Sequence, residues 1–128
     1  MRRLVDANVI LRYLLGDVPA QAEKARTEID RGVYLLDGAL AEVVYVLGGI
    51  YEMPRDRIAS LLTDLLDEVG SPNVAVGKRA LAIFAKKSRL DFIDCYLAAC
   101  QELGGDEVVT FDKDLIKYLN ASASAKRR

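Results

Sequence analysis

Apolar positions recur along the chain in two rhythms, short unbroken runs and helical spacing, and the two alternate. Arg3–Asp6 is a brief apolar run that predicts a buried strand, and from Asn8 to Leu15 the residues Val9, Ile10, Tyr13 and Leu14 return with a helical period. Ala20–Arg31 predicts an alanine- and charge-rich surface helix, with Pro19 at its start and Gly32 at its stop. Val33–Leu36 reads as the next strand. Ala39–Val46 is apolar except for Glu42 and ends at Gly48-Gly49, and Pro54 then opens an amphipathic helix with Ile58, Leu61, Leu62, Leu65 and Leu66 on one side. After the loop Gly70-Ser71-Pro72-Asn73, Val74–Val76 is a candidate strand, followed by helices from about Lys78 to Lys87 and from Phe92 to Leu103. Gly104-Gly105 caps the second of these. Glu107–Thr110 is a last strand, and it feeds a short helix from about Lys113 to Leu119.

Strands alternating with helices predict an α/β fold: a three-layer α/β/α sandwich around a mainly parallel central sheet. Residues 1–120 read as a single domain, and Ala121–Arg128 has the composition of a disordered tail outside the core. With 128 residues, 52% of them hydrophobic, the chain can build its own core without disulfides. Cys95 and Cys100 lie about 140° apart around a helix and form no CxxC pair, so both are expected to be reduced core residues. No apolar run approaches the roughly 20 residues needed to cross a bilayer. The start, Met-Arg-Arg-Leu-Val-Asp, turns polar too soon for a signal peptide, so no membrane association and a cytoplasmic location are expected.

Composition matters most through what is missing, because the chain contains no histidine. Ser-His-Asp and Cys-His nucleophile systems and HExxH zinc sites are thereby excluded, which leaves carboxylates to carry any chemistry. Eighteen basic side chains against nineteen acidic ones give a net charge of −1, so bulk basicity does not announce a nucleic acid.

The acids fall at element boundaries. Asp6 follows Leu4-Val5, Asp91 and Asp94 precede the run from Cys95, and Asp112 follows Val108–Phe111. Each is also a natural helix cap, since a carboxylate there accepts a hydrogen bond from free helix amides. Asp91-Phe92-Ile93-Asp94 has the spacing of a capping box, which makes Asp91 the cap and frees Asp94. Asp112 and Asp114 compete in the same way, and Asp112 lies nearer the strand end. Glu42 stands alone in an apolar run, where an ionised carboxylate needs an arginine, a metal or a face turned to water. In an open α/β sheet, strand ends converge on one crevice, so Asp6 and Asp112 would share it and the helix-borne Glu42 and Asp94 could close it. Four carboxylates there repel unless a cation lies between them, and hard oxygen donors select Mg²⁺ or Mn²⁺, one or two ions. Such a site activates water and stabilises the leaving oxygen of a phosphodiester. Asn8 and Arg12 could orient a water or a phosphate beside it.

Four segments together resemble the PIN domain family, and within it the VapC-type ribonuclease toxins of toxin-antitoxin pairs. They are Asp6-Ala7-Asn8-Val9-Ile10-Leu11-Arg12-Tyr13-Leu14, Ala41-Glu42-Val43-Val44-Tyr45-Val46-Leu47, Leu90-Asp91-Phe92-Ile93-Asp94-Cys95-Tyr96-Leu97-Ala98-Ala99 and Thr110-Phe111-Asp112-Lys113-Asp114. The resemblance covers nearly the whole chain and implies Mg²⁺ or Mn²⁺ dependence and endonucleolytic cutting of RNA. It places the family's acids on Asp6, Glu42, Asp94 and Asp112 and its auxiliary polar positions on Asn8 and Thr110, with Asp91 a cap or outer carboxylate. Cys95-Tyr96 departs from the more usual alanine and leucine, which touches packing rather than chemistry. A VapB-type antitoxin and a homodimer or higher oligomer are further implications.

If the four acids are set aside with their metal, the remaining molecule carries +3 rather than −1. Lys78, Arg79, Lys86, Lys87 and Arg89 cluster before the Asp94 segment, and Lys86, Lys87 and Arg89 are candidate RNA-phosphate contacts along with Arg12. Two alternative readings differ in class: a non-catalytic RNA-binding or assembly scaffold with the same fold, and a phospho-accepting receiver domain. The receiver needs an aspartate ending a central strand, where Tyr51–Val69 reads as helix.

Overall fold

The computed structural model describes residues 1–126, and its regular elements are seven helices. They are α1 (Ala7–Leu15), α2 (Pro19–Asp30), α3 (Asp37–Gly49), α4 (Arg55–Glu68), α5 (Val74–Lys86), α6 (Phe92–Gly104) and α7 (Lys113–Lys126). Local chemistry sets several of their ends. The side chains of Asp6, Asn73 and Asp91 accept from the amides of Val9, Val76 and Asp94 and so start α1, α5 and α6. Gly16 and Gly105 adopt left-handed backbone at φ 61° and 71° and stop α1 and α6.

The expected α/β/α sandwich with a parallel central sheet is not what forms. Among the described residues, pairing between extended segments is confined to two isolated parallel bridges, Leu4 with Tyr34 and Tyr34 with Gly70. Tyr34 sits in the middle: its amide donates to Arg3 and its carbonyl accepts from Val5, while Leu35 and Val33 bond Gly70 on the other side. Each pair of segments shares a single rung because the chain leaves the extended state at once. Asp6 caps α1 directly after Val5, α3 starts at Asp37, and Gly70 runs into Ser71-Pro72, where proline has no amide to extend a ladder. The second rung requires its glycine: a Cβ on Gly70 would lie 2.8 Å from Cδ2 of the Tyr34 ring.

Two expected strands fail for different reasons. Val74–Val76 is the first turn of α5, because the Asn73 cap and the buried Val76 favour helix over a three-residue run. Glu107–Thr110 contributes to no bridge among the described residues, since the Val108 amide is taken by the Gln101 side chain at 3.1 Å. Val109 and Phe111 consequently face solvent, 86% and 98% exposed. In the expected tail, α7 continues past Leu119 to Lys126, and the Ser122 hydroxyl donates to Glu102. Residues 127–128 of that tail lie outside the described residues.

The core is one cluster, with Ile10, Leu35, Leu40, Leu47, Ile58, Leu62, Leu65 and Leu81 fully buried. Ile58, Leu62, Leu65 and Leu66 of α4 are buried as their spacing predicts, and Leu61 is half-buried. Cys95 and Cys100 are free thiols, and burial pushes Cys95 up to about 12, which keeps it unreactive. No described helix is long and apolar enough to cross a membrane.

Candidate active site

Helix α6 organises the site, because it packs against α3, α5 and α7. Its N-terminus has the arrangement the capping box predicts: Asp91 Oδ1 accepts from the Asp94 amide at 2.8 Å, and Asp94 occupies the first turn. Asp112 caps α7 in the same way, accepting from the Leu115 amide at 2.8 Å. The Thr110 hydroxyl in turn accepts from the Asp112 amide at 3.0 Å and fixes the approach to that cap. Asp6 caps α1 through the Val9 amide at 3.0 Å. Capping therefore occupies one oxygen in each of Asp6, Asp91 and Asp112.

Asp94 is half-buried, and its carboxyl is held above the usual carboxylate range. Burial is the main cause, and the neighbouring charges of Asp91 and Asp112 add to it. Asp91, Asp94 and Asp112 thus share one electrostatic neighbourhood, assembled from two helix starts some twenty residues apart in sequence.

Of the three settings open to Glu42, the structure shows the face turned to water. Leu40, Val43, Val44 and Leu47 of α3 turn inward, while Glu42 and Tyr45 occupy the opposite, water-facing side. The apolar run is therefore buried on one face alone, and Glu42 bears no desolvation cost that a metal must offset. Arg12 is also otherwise engaged: its guanidinium bonds Asp17 at 3.0 Å and the Tyr51 hydroxyl at 3.2 Å. Asn8 is exposed beside it on α1, and Asp114 is half-buried in the first turn of α7.

The basic cluster divides in two. Lys78 is paired with Asp67 and Arg79 with Glu102, whereas Lys86, Lys87 and Arg89 form no ion pair among the described residues. Sequence reasoning missed Arg55, which organises that second group. One guanidinium nitrogen donates to the carbonyls of Phe84, Lys87 and Leu90 at 3.1, 3.0 and 2.7 Å, and the guanidinium stacks 4.1 Å above the Phe84 ring. Its position one residue after Pro54 gave no signal of this, because its partners are backbone oxygens about thirty residues away.

The PIN domain family model matches residues 3–119. The chain belongs to the PIN domain family. That span takes in α1 to α6 and the start of α7, with every acid discussed above. PIN domains are generally nucleases, so a nucleic acid is the substrate class that membership supports. No curated protein and no solved structure matches the chain.

The donors fit a hard divalent cation, because they are carboxylates, and a cation would relieve the crowding of charge on Asp94. Among the described residues, no group of three or more Asp, Glu or Cys side chains stands within reach of one ion. An Mg²⁺ ion bound by only a few carboxylates keeps several waters.

Proposed function

We propose that this PIN domain is an Mg²⁺- or Mn²⁺-dependent endoribonuclease whose acidic centre is built on Asp94 and Asp112, with Asp6 and Glu42 contributed from α1 and α3. Family membership over residues 3–119 is the observation that carries this reading. The charges of Asp91 and Asp112, which help to hold the Asp94 carboxyl up, lend it electrostatic support. When bound, the ion supplies an activated water and charge stabilisation for the phosphodiester.

The remaining roles belong to the chain itself. Asp94 is the carboxylate least tied by capping, since Asp91 takes the cap of α6. Asp112 offers its second oxygen from a cap whose approach Thr110 fixes. Asn8 lies two residues after Asp6, exposed on α1, and is assigned the orientation of a water or phosphate.

The test is cleavage of total RNA and of a tRNA pool by the purified chain in EDTA, Mg²⁺ or Mn²⁺, run beside Asp94→Asn. Discrete metal-dependent cuts that fall by about 100-fold or more in the variant are expected. Wild-type rates in Asp94→Asn would remove that residue from the site. The scaffold reading draws on the absence of a gathered metal cluster among the described residues. It requires that Mn²⁺ leave the melting temperature unchanged, whereas an ion that binds the folded state must raise it.

A toxin role, with a VapB-type antitoxin and self-association, is the finer part of the proposal and rests on the four motif segments. Growth arrest on expression, relieved by Asp94→Asn, is the expected result; unimpaired growth would leave a nuclease without a toxin role.

A further inference from the structure

An open groove of about 540 Å³ runs between the α5–α6 loop and α7, with Lys86, Lys87 and Arg89 on one wall and Asp114, Lys117 and Tyr118 on the other. Four of these six side chains are cations and one is an acid. Among the described residues none of the four cations forms an ion pair, a state they share with Arg2, Lys24, Arg26, Arg57 and Lys113; what sets the four apart is that they line one groove. Lys86 and Lys87 at the C-terminal end of α5 are favoured there by the helix dipole. That accounts for two charges. It leaves unexplained why Arg89 and Lys117 arrive at the same groove from other elements.

The walls are held in place. Arg55 ties the loop through the carbonyls of Lys87 and Leu90, and the Tyr118 hydroxyl is fixed to Glu102 at 2.6 Å. The Tyr118 ring lies 6.0 Å below the Lys87 ammonium. Asp114, Lys117, Tyr118 and Ala121 share one face of α7 at helical spacing, which places Lys117 in the groove one turn after Asp114. Asp114 stands in the first turn of α7, two residues beyond Asp112 in sequence.

We propose that this groove binds the phosphodiester backbone of single-stranded RNA. Fixed walls and unneutralised cations suit a polyanion, whose condensed counterions are released when lysine and arginine replace them. That the strand is RNA rests on the nuclease reading above; that the groove takes a phosphodiester backbone rests on its charge and shape.

The experiment measures anisotropy of a fluorescein-labelled single-stranded oligoribonucleotide across a salt series in EDTA, so that binding is read without cleavage. In the Lys86→Gln/Lys87→Gln/Arg89→Gln/Lys117→Gln protein, affinity at low salt should fall by about 10-fold or more, and the slope of log affinity against log salt by up to about 0.7 per cation removed. Arg31→Gln/Lys78→Gln, which removes two cations already paired, should change neither. Asp114→Asn should tighten binding a few-fold, a gain that partial unfolding cannot imitate. Unchanged affinity and slope in the fourfold variant, an equal loss in the control, or no binding by the wild type would overturn the proposal. Groove-dependent binding by a protein that never cuts RNA would count against the nuclease reading alone, while cutting with groove-independent binding would count against the groove alone.

Discussion

The Glu102 carboxylate accepts from Arg79 Nε at 2.6 Å, from the Tyr118 hydroxyl at 2.6 Å and from the Ser122 hydroxyl at 2.8 Å. Burial alone would push it up, but these bonds outweigh burial and hold it at about 2. A carboxyl lowered in the folded state stabilises the fold above its ordinary value near 4.5 and loses that contribution as pH falls toward 2. Glu102→Gln is therefore expected to cost roughly 1–3 kcal/mol at pH 7 and progressively less between pH 4.5 and 2 in urea titrations. A penalty that stays constant across that window would show that shape, not charge, makes the clasp. Nothing in the sequence pointed to Glu102, because its partners come from α5 and α7 and no periodicity links them.

At the scale of elements, most helices were legible, since caps and apolar spacing act within a few residues. Asp91 with Asp94 and the α4 stripe Ile58, Leu62, Leu65 and Leu66 lie where local chemistry puts them. Strands were not legible, because a short apolar run has no structure without a partner, and only distant residues supply one. Val33–Leu36 found partners on both sides, whereas Glu107–Thr110 lost an amide to Gln101. Arg55 shows the same limit from the opposite direction: a loop with no regular structure is fixed by one side chain of α4. Arg55→Met should cost about 1–3 kcal/mol and speed amide exchange at Leu90, whose amide bonds the Lys87 carbonyl at 3.0 Å. Unchanged Leu90 protection in an otherwise folded variant would show that the loop holds its own shape.

Across the whole molecule, the acids of the site were identifiable as chemistry before they were identifiable as geometry. The lack of histidine pointed to carboxylates, yet the number of them meeting could not be read from spacing. Asp94 and Asp112 feel one another across two helix starts, while Glu42 faces water because α3 buries one face only, a choice its apolar neighbours left open. Packing shows a second global feature: it is closest between helices that follow one another in the chain, α4 with α5, α5 with α6 and α1 with α2. Such neighbours can dock while little loop entropy is lost, so the search for the native arrangement is mostly local. Refolding from urea in a stopped-flow mixer should accordingly finish within about milliseconds, the range of helical domains, and a phase of about a second would mean that the bridges at Tyr34 form the barrier. The molecule would then owe its folding speed to the order in which its helices are written, and only its last step to the two rungs that tie Leu4 and Gly70 to Tyr34.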